Sequence, residues 1–561
     1  DNDMATELGV TLHVDACANA VHVEPDCYPA TPIQDAIDAA NPGDLIIIEP
    51  GNYFENPIVW KPVILQGSGT EGTVINANPI PSERVTTWTN KMQALADAEN
   101  IPAGVNVAAI QGPGIMVVAN PEVFGPEVEA VIDGLTITGA VAGGGIYVYT
   151  GADYLQIRNN NIRTNQGTDG GAINIGKPDT PALSNTHVKI HNNYVVKNGG
   201  IDGAGGINIG DGSANYEITN NLIMGNFTRF SGGGISHNGL SDGGVIAHNR
   251  IINNEVFYGG QIGGDGGGIY VAGLLDPEDP GEMSDGSGNV TINGNLIQGN
   301  LAGSAHGGGI AAFRINGTDV LELEPANWNR LNIFNNIVVN NVSAAAGGGI
   351  YIQDAVYVNL IHNTIANNDS AGTSALAFNP GNLLLSNPQP AGVVSAANSQ
   401  LLADPTGVVY PDPVLQDNII VNNRSWRWDA SLNGGSGGLS PNPLQPIWDL
   451  AVVGTPGPQF LNPDYCLLTS LTDAYGADYD DGTNLIGNPG FLSPYQNTLV
   501  AAAVIDEGGN FITTRFLPIG RQGDYHISPL SAARDMGGGQ KLADYPELTL
   551  DFDIQTRPAG V

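Results

Sequence analysis

Asn336-Ile337-Val338-Val339-Asn340-Asn341-Val342-Ser343-Ala344-Ala345-Ala346-Gly347-Gly348-Gly349-Ile350-Tyr351-Ile352 holds one full statement of a repeat. An Asn opens an apolar run, a second Asn follows five residues on, and a glycine triplet leads into an alternating strand. The glycine motif recurs at Gly143-Gly144-Gly145-Ile146, Gly205-Gly206-Ile207, Gly232-Gly233-Gly234-Ile235, Gly266-Gly267-Gly268-Ile269 and Gly307-Gly308-Gly309-Ile310, with Gly170-Gly171-Ala172-Ile173 as a variant. The first Asn falls at Asn161, Asn193, Asn221, Asn249, Asn295, Asn336, Asn363 and Asn418, and the second at Asn198, Asn226, Asn254, Asn300, Asn341, Asn368 and Asn423. Successive first asparagines lie 32, 28, 28, 46, 41, 27 and 55 residues apart, so one turn takes about 27 residues and longer gaps carry loops or an extra turn. Strands at that period predict a β-solenoid, in which stacked Asn amides bond from turn to turn as a ladder. After each glycine run the Ile points inward, the next residue outward and the third inward again. The inward column reads Val148, Ile175, Ile209, His237, Val271, Ala312 and Ile352, and the outward column Tyr147, Asn174, Asn208, Ser236, Tyr270, Ala311 and Tyr351.

Composition agrees. Of 561 residues 77 are Gly and only 13% are charged, too few for the exposed faces of a helical protein. The glycines cluster without a triplet period, which excludes collagen, and 41% apolar content argues against disorder. Nineteen basic against 56 acidic residues give a net charge of −37, which repels nucleic acids and anionic membrane surfaces and makes divalent cations the natural counter-ions. No apolar run is long enough to span a bilayer, and the chain reads as a secreted or cell-surface form from which the signal has been removed. Cys17 and Cys27 enclose a short segment that one disulfide could staple, and Cys466 reads as a buried small residue.

Two stretches outside the repeat carry a family resemblance. Thr31-Pro32-Ile33-Gln34-Asp35-Ala36-Ile37-Asp38-Ala39-Ala40 precedes Asn41-Pro42-Gly43-Asp44-Leu45-Ile46-Ile47-Ile48, and Gly523-Asp524-Tyr525-His526-Ile527-Ser528-Pro529-Leu530 lies in a C-terminal segment that begins at Asn488-Pro489-Gly490-Phe491-Leu492. With the repeat, they make the chain resemble the secreted right-handed parallel β-helix proteins, the pectate-lyase-like superfamily and its bacterial surface-anchored relatives. The resemblance implies an all-β, single-stranded right-handed parallel β-helix with an N-terminal capping helix. The cap also reads unaided: Thr31 suits an N-cap, Pro32 the first helical position, and Ile33, Ala36, Ile37 and Ala40 form one apolar face. The expected organisation is an N-terminal segment over 1–29, the cap and first coils over 30–130 with a helical insertion near 79–106, regular coils over 131–425, and irregular coils with a closing segment over 426–561. Within the first segment Leu8-Gly9-Val10-Thr11-Leu12-His13-Val14 alternates like a strand, which suits donation to a neighbouring copy or pairing at its own cap.

Enzymes of that superfamily carry their catalytic groups in short motifs on successive turns. The polygalacturonate hydrolases carry Gly-His-Gly and Arg-Ile-Lys, both absent here, and lyases need a cationic base beside Ca²⁺-holding carboxylates, a set scarce in a chain with six lysines and 13 arginines. One constellation survives: Asp265 and His306 occupy the column before the glycine runs one turn apart, with Arg314 on the following strand, a set suited to taking a proton from a uronate. A solvated turn explains the same residues. Trp426, Trp428 and Trp448, with the outward Tyr147, Tyr270 and Tyr351, are candidates for stacking sugar rings, against the alternative that they bury loops. Asp478, Asp480, Asp481 and Asn484 alternate oxygen donors around a Gly as calcium loops do, without the bidentate Glu. His191, His248 and His362 read as substitutes beside the ladder, and His237 as a satisfied core histidine. The sequence therefore reads as a structural or adhesive surface β-helix, self-associating or binding an extracellular polysaccharide; a polysaccharide lyase or hydrolase and a non-catalytic carbohydrate-binding module are the alternatives.

Overall fold

The computed structural model describes residues 11–14 (backbone), 30–103, 105, 112–176, 185–257, 264–275, 281–506, 509–534, 536–538 and 544–557. Cys17 and Cys27 lie outside them. The chain divides into two units, residues 1–228 with 237–245, and residues 229–236 with 246–561. Each is a stack of coils whose strands pair in parallel with their equivalents one coil away, and the right-handed sense of parallel β crossovers makes each a right-handed parallel β-helix.

In the first unit, strand β1 (Thr11–Val14) pairs in parallel with β2 (Leu45–Ile48) of the same chain. This is the intramolecular one of the two pairings expected for that stretch. Helix α1 (Pro32–Ala39) covers the first coil with Ile33 and Ile37 fully buried. Thr31 makes no side-chain cap bond; Glu55 takes that role, its Oε1 accepting from Ile33 N at 3.0 Å and its Oε2 from Gln34 N at 3.1 Å. Helix α2 (Glu83–Asp97) fills the expected insertion and packs Trp88, Met92 and Leu95 on Ile58, Met116, Val118, Tyr147 and Tyr149. Glu99 lies past its end at φ 57°.

The ladders are present in both units. In the first, Asn160 Nδ2 donates to Asn193 Oδ1 (3.2 Å) and Asn193 Nδ2 to Asn221 Oδ1 (3.0 Å); a second column joins Asn165, Asn198 and Asn226. The first copy is thus Asn160 with Asn165, not Asn161, which lies in a strand. In the second unit the columns run Asn249, Asn295, Asn336, Asn363, Asn418 and Asn254, Asn300, Asn341, Asn368, Asn423, with amide links of 2.9–3.1 Å. The residue before each ladder Asn takes positive φ, and His248 and His362 sit there at 56° and 60°. They are turn residues, not ladder substitutes; His191 lies in a strand beside Asn192. His237 is a satisfied core histidine, its Nδ1 2.8 Å from Tyr216 Oη and its Nε2 2.9 Å from Gly239 O.

The 55-residue gap is a single coil, because Thr364 pairs directly with Ile419. Its extra length forms loops and a helix, Gln400–Thr406. The closing segment, from about residue 488, is a strap laid along the flank of the second unit. Tyr525 Oη donates to Asn340 Oδ1 at 2.6 Å, Tyr495 O accepts from Asn340 and Asn367, Phe516 packs on Leu301 and Val342, and Leu548 on Phe334 and Ile361. Its central strands, Thr498–Asp506 and Gly509–Leu517, form an antiparallel hairpin.

Candidate functional site

Parallel register assembles the surviving constellation in the second unit. Strands β3 (Ile269–Ala272), β4 (Ile310–Phe313) and β5 (Ile350–Gln353) pair with Tyr270 beside Ala311 and Ala311 beside Tyr351. The glycine runs before them pair backbone to backbone, Gly266 N to His306 O at 3.0 Å and Gly267 N to Gly307 O at 3.0 Å, which holds Asp265 next to His306. A side chain on those glycines would strike the neighbouring coil: a Cβ on Gly308 would lie 2.6 Å from Gly348 O.

Asp265 Oδ1 accepts from His306 N at 2.9 Å and lies 3.2 Å from His306 Nδ1, which orients the ring and leaves Nε2 as the nitrogen able to exchange a proton. The ring stacks on Tyr351 with centroids 4.1 Å apart, and Phe313 lies 5.4 Å from Tyr351 and 5.9 Å from Tyr270. Arg314, at φ 48°, donates from Nε to Gly273 O at 2.9 Å and brings Nη2 to 3.4 Å from Tyr270 Oη. His306 and Asp265 keep 18% and 15% of their side chains in solvent while Tyr351 retains 5%, so the floor is dry and the polar rim wet. Burial, reinforced by the charges of Asp265 and Asp354, pushes the Tyr351 phenol well above its ordinary value, and burial does the same to Tyr270. Both phenols therefore stay protonated donors at physiological pH. With Tyr351 covered, the partly exposed rings of Tyr270, Phe313 and His306 are what the face presents to a sugar, beside Arg314 as a donor and His306 Nε2 as a nitrogen that can move a proton.

The other candidates are spread over the molecule. Tyr147 is 3% exposed beneath α2 and donates to Asp169 at 2.6 Å, and Trp428 is 3% exposed, so neither is a platform. Trp426 is half-buried, its Nε1 donating to Asp369 at 3.0 Å in a network where Arg424 grips that carboxylate at 2.7 and 2.8 Å. Trp448 is half-buried and stacked at 4.2 Å on exposed Tyr475. The proposed calcium loop spends its donors on its own turns: Asp478 Oδ1 accepts from Asp480 N, and Asp481 Oδ1 from Thr483 N and Oγ1. Asn484 is buried and extends the first ladder by accepting from Cys466 N at 2.9 Å. Among the described residues no three His, Cys, Asp or Glu gather as metal ligands. Cys466 is fully buried, and burial pushes its thiol up to about 12.

What the sequence reading missed is Phe313 as a wall and the dryness of the outward column, where Asn174, Asn208, Ser236 and Ala311 are all buried. Alternation marks these positions as outward but cannot say what covers them.

No family model and no curated protein matches the chain. Among solved structures it is similar to pectate lyase Pel9A (14% identity, TM-score 0.28, covering 73% of this chain and 79% of that one). It is also similar to the PL6 family polysaccharide lyase from Pseudopedobacter saltans (11%, TM-score 0.29, 85% and 92%) and to a rice weevil pectin methyl esterase (12%, TM-score 0.24, 60% and 78%). The chain folds as a parallel β-helix. That statement rests on its own sheets and ladders, and the chemistry rests on the site.

Proposed function

We propose that the protein is a secreted or cell-surface β-helix, adhesive in role, that binds a polysaccharide across β3, β4 and β5. The observation that supports it is the His306 ring held by Asp265 and stacked at 4.1 Å on Tyr351, with Phe313 and the Arg314–Tyr270 pair alongside. Sugar rings bind where an apolar aromatic floor meets fixed polar groups, and this face supplies both. The strongly acidic surface disfavours polyanionic glycans at long range, so neutral or cationic polymers fit better. Affinity electrophoresis through gels cast with a panel of neutral, acidic and amino-sugar polysaccharides tests the reading: one polymer retards the protein, and Phe313→Ala with Tyr351→Ala abolishes the retardation.

A second reading, catalysis, is favoured specifically by the Asp265–His306 hydrogen bond, because a carboxylate on Nδ1 prepares Nε2 to accept a proton. In that reading Arg314 faces a substrate carboxylate, His306 Nε2 removes the proton from the carbon that bears it, the electron pair forms a C=C bond as the neighbouring glycosidic C–O bond breaks, and the departing sugar oxygen takes a proton from solvent. Release of unsaturated sugars from polygalacturonate or alginate, lost in His306→Ala, would establish it; no release leaves binding as the function.

A further inference from the structure

A cavity of about 170 Å³ opens in the last coils of the second unit, away from β3–β5, with Trp448, Asp449, Asp473, Tyr479, Thr469 and Gln445 among its walls. At ~30 Å³ per water it has room for five or six waters, the bulk of one small polar ring. Two carboxylates stand in its wall and no Lys, Arg or His does. Asp449 Oδ1 accepts from Asn423 N at 3.0 Å and Nδ2 at 2.8 Å, and Asp473 Oδ1 accepts from Tyr475 N and Ala477 N, both at 2.8 Å. These are neutral donors, so both charges stand without a cationic partner. Tyr479 feels both carboxylates, which add to burial in raising its phenol. On the aromatic side, Trp448 is braced by Tyr475 at 4.2 Å and 15°.

Asp449 has a peculiar place in the fold. It accepts from Asn423 as each ladder Asn accepts from the one before it, and so stands where the next Asn of the second column would. An Asn there would complete the bonds to Asn423 with no charge, giving up only the long contact in which Asp449 Oδ2 accepts from Thr469 N at 3.4 Å. A carboxylate adds that one contact to the ladder and costs desolvation, which raises Asp449 to about 6.

We propose that this cavity binds an ammonium-bearing sugar, a glucosamine unit of a cationic glycan, with the ammonium between Asp449 and Asp473 and against the faces of Trp448 and Tyr479. Carboxylates and aromatic faces both attract an ammonium group, most strongly where water is partly excluded. The −37 net charge concentrates a cationic ligand near the surface.

Isothermal titration of the full chain at pH 6 in 150 mM salt, using glucosamine tetramer and its N-acetylated counterpart as probes, tests the site. The tetramer is expected to bind at least tenfold tighter than the acetylated form. Asp449→Asn, which keeps the ladder bonds and should fold as well as the parent, is expected to weaken it at least tenfold. Asp404→Asn, which removes one exposed charge elsewhere, should leave binding unchanged. Equal affinity for the two tetramers, no binding of either, unaltered binding by Asp449→Asn, or equal weakening by Asp404→Asn would each overturn the proposal. Loss in Tyr351→Ala alone would overturn it too, by placing the ammonium sugar on β3–β5.

Discussion

Asn341 shows how one residue type sets the architecture. Its Nδ2 donates to Asn368 Oδ1 and Ile297 O, and its Oδ1 accepts from Asn300 N and Nδ2, so a fully buried amide satisfies groups on the coils either side. Asn341→Ala strands those partners without water. Unpaired buried polar groups cost about 1–3 kcal/mol each, and urea denaturation should show a loss of about 3 kcal/mol. Asp449 is the complementary case. Its carboxyl is raised from 3.8 to about 6, so the folded state binds the proton more tightly than the unfolded chain, and stability contributed by this group falls as pH rises between those values. Asp449→Asn should therefore be more stable than the parent at pH 8, by about 1 kcal/mol for a partly wet carboxylate, with the gap closing towards pH 4. The ladder was legible because a five-residue Asn spacing repeats. The first copy was misread by one position because Asn159-Asn160-Asn161 offers three asparagines, and only the coil's geometry selects the one that points inward.

At the scale of elements, the strap is held by charge as well as by packing. The fully buried Asp369 carboxylate is gripped by Arg424, whose Nη2 also donates to Asn497 O at 2.8 Å, tying the strap to the coils. Burial outweighs this pairing and leaves the Asp369 carboxyl above its ordinary value. Arg424→Ala leaves that carboxylate unpaired and should cost about 3–5 kcal/mol, read by chemical denaturation. Farther along the strap, burial lowers His526, but Asp524 at 2.6 Å and Asp553 at 3.2 Å outweigh it and hold the imidazole above 6.5. A raised histidine contributes stability below its unfolded value and loses it as pH rises through its folded value. His526→Gln should accordingly speed proteolysis of the strap at pH 5.5 and have little effect at pH 9. The strap was not legible in sequence: it repeats nothing, and its contacts reach coils far back along the chain, as Asn497 with Asp369 (|i−j| 128) and Arg515 with Glu255 (|i−j| 260) show. Helix α2 was legible from the 3.6-residue spacing of Trp88, Met92 and Leu95.

Over the whole molecule, parallel stacking converts distance along the chain into neighbours across a face. Asp265, His306 and Tyr351 are 41 and 45 residues apart, yet consecutive coils place them in contact. A column could therefore be read from the glycine register alone, while the dry floor could not, because what closes over Tyr351 is side chains of other columns and coils, His306, Phe313 and Val394 among them. Whether β3, β4 and β5 form a glycan-binding face is decided by the retardation of the parent and of Tyr351→Ala in polysaccharide-containing gels. Retardation of the parent by one polymer and free migration of the folded variant are expected; equal mobility of the two in every polymer tested would contradict a binding face there.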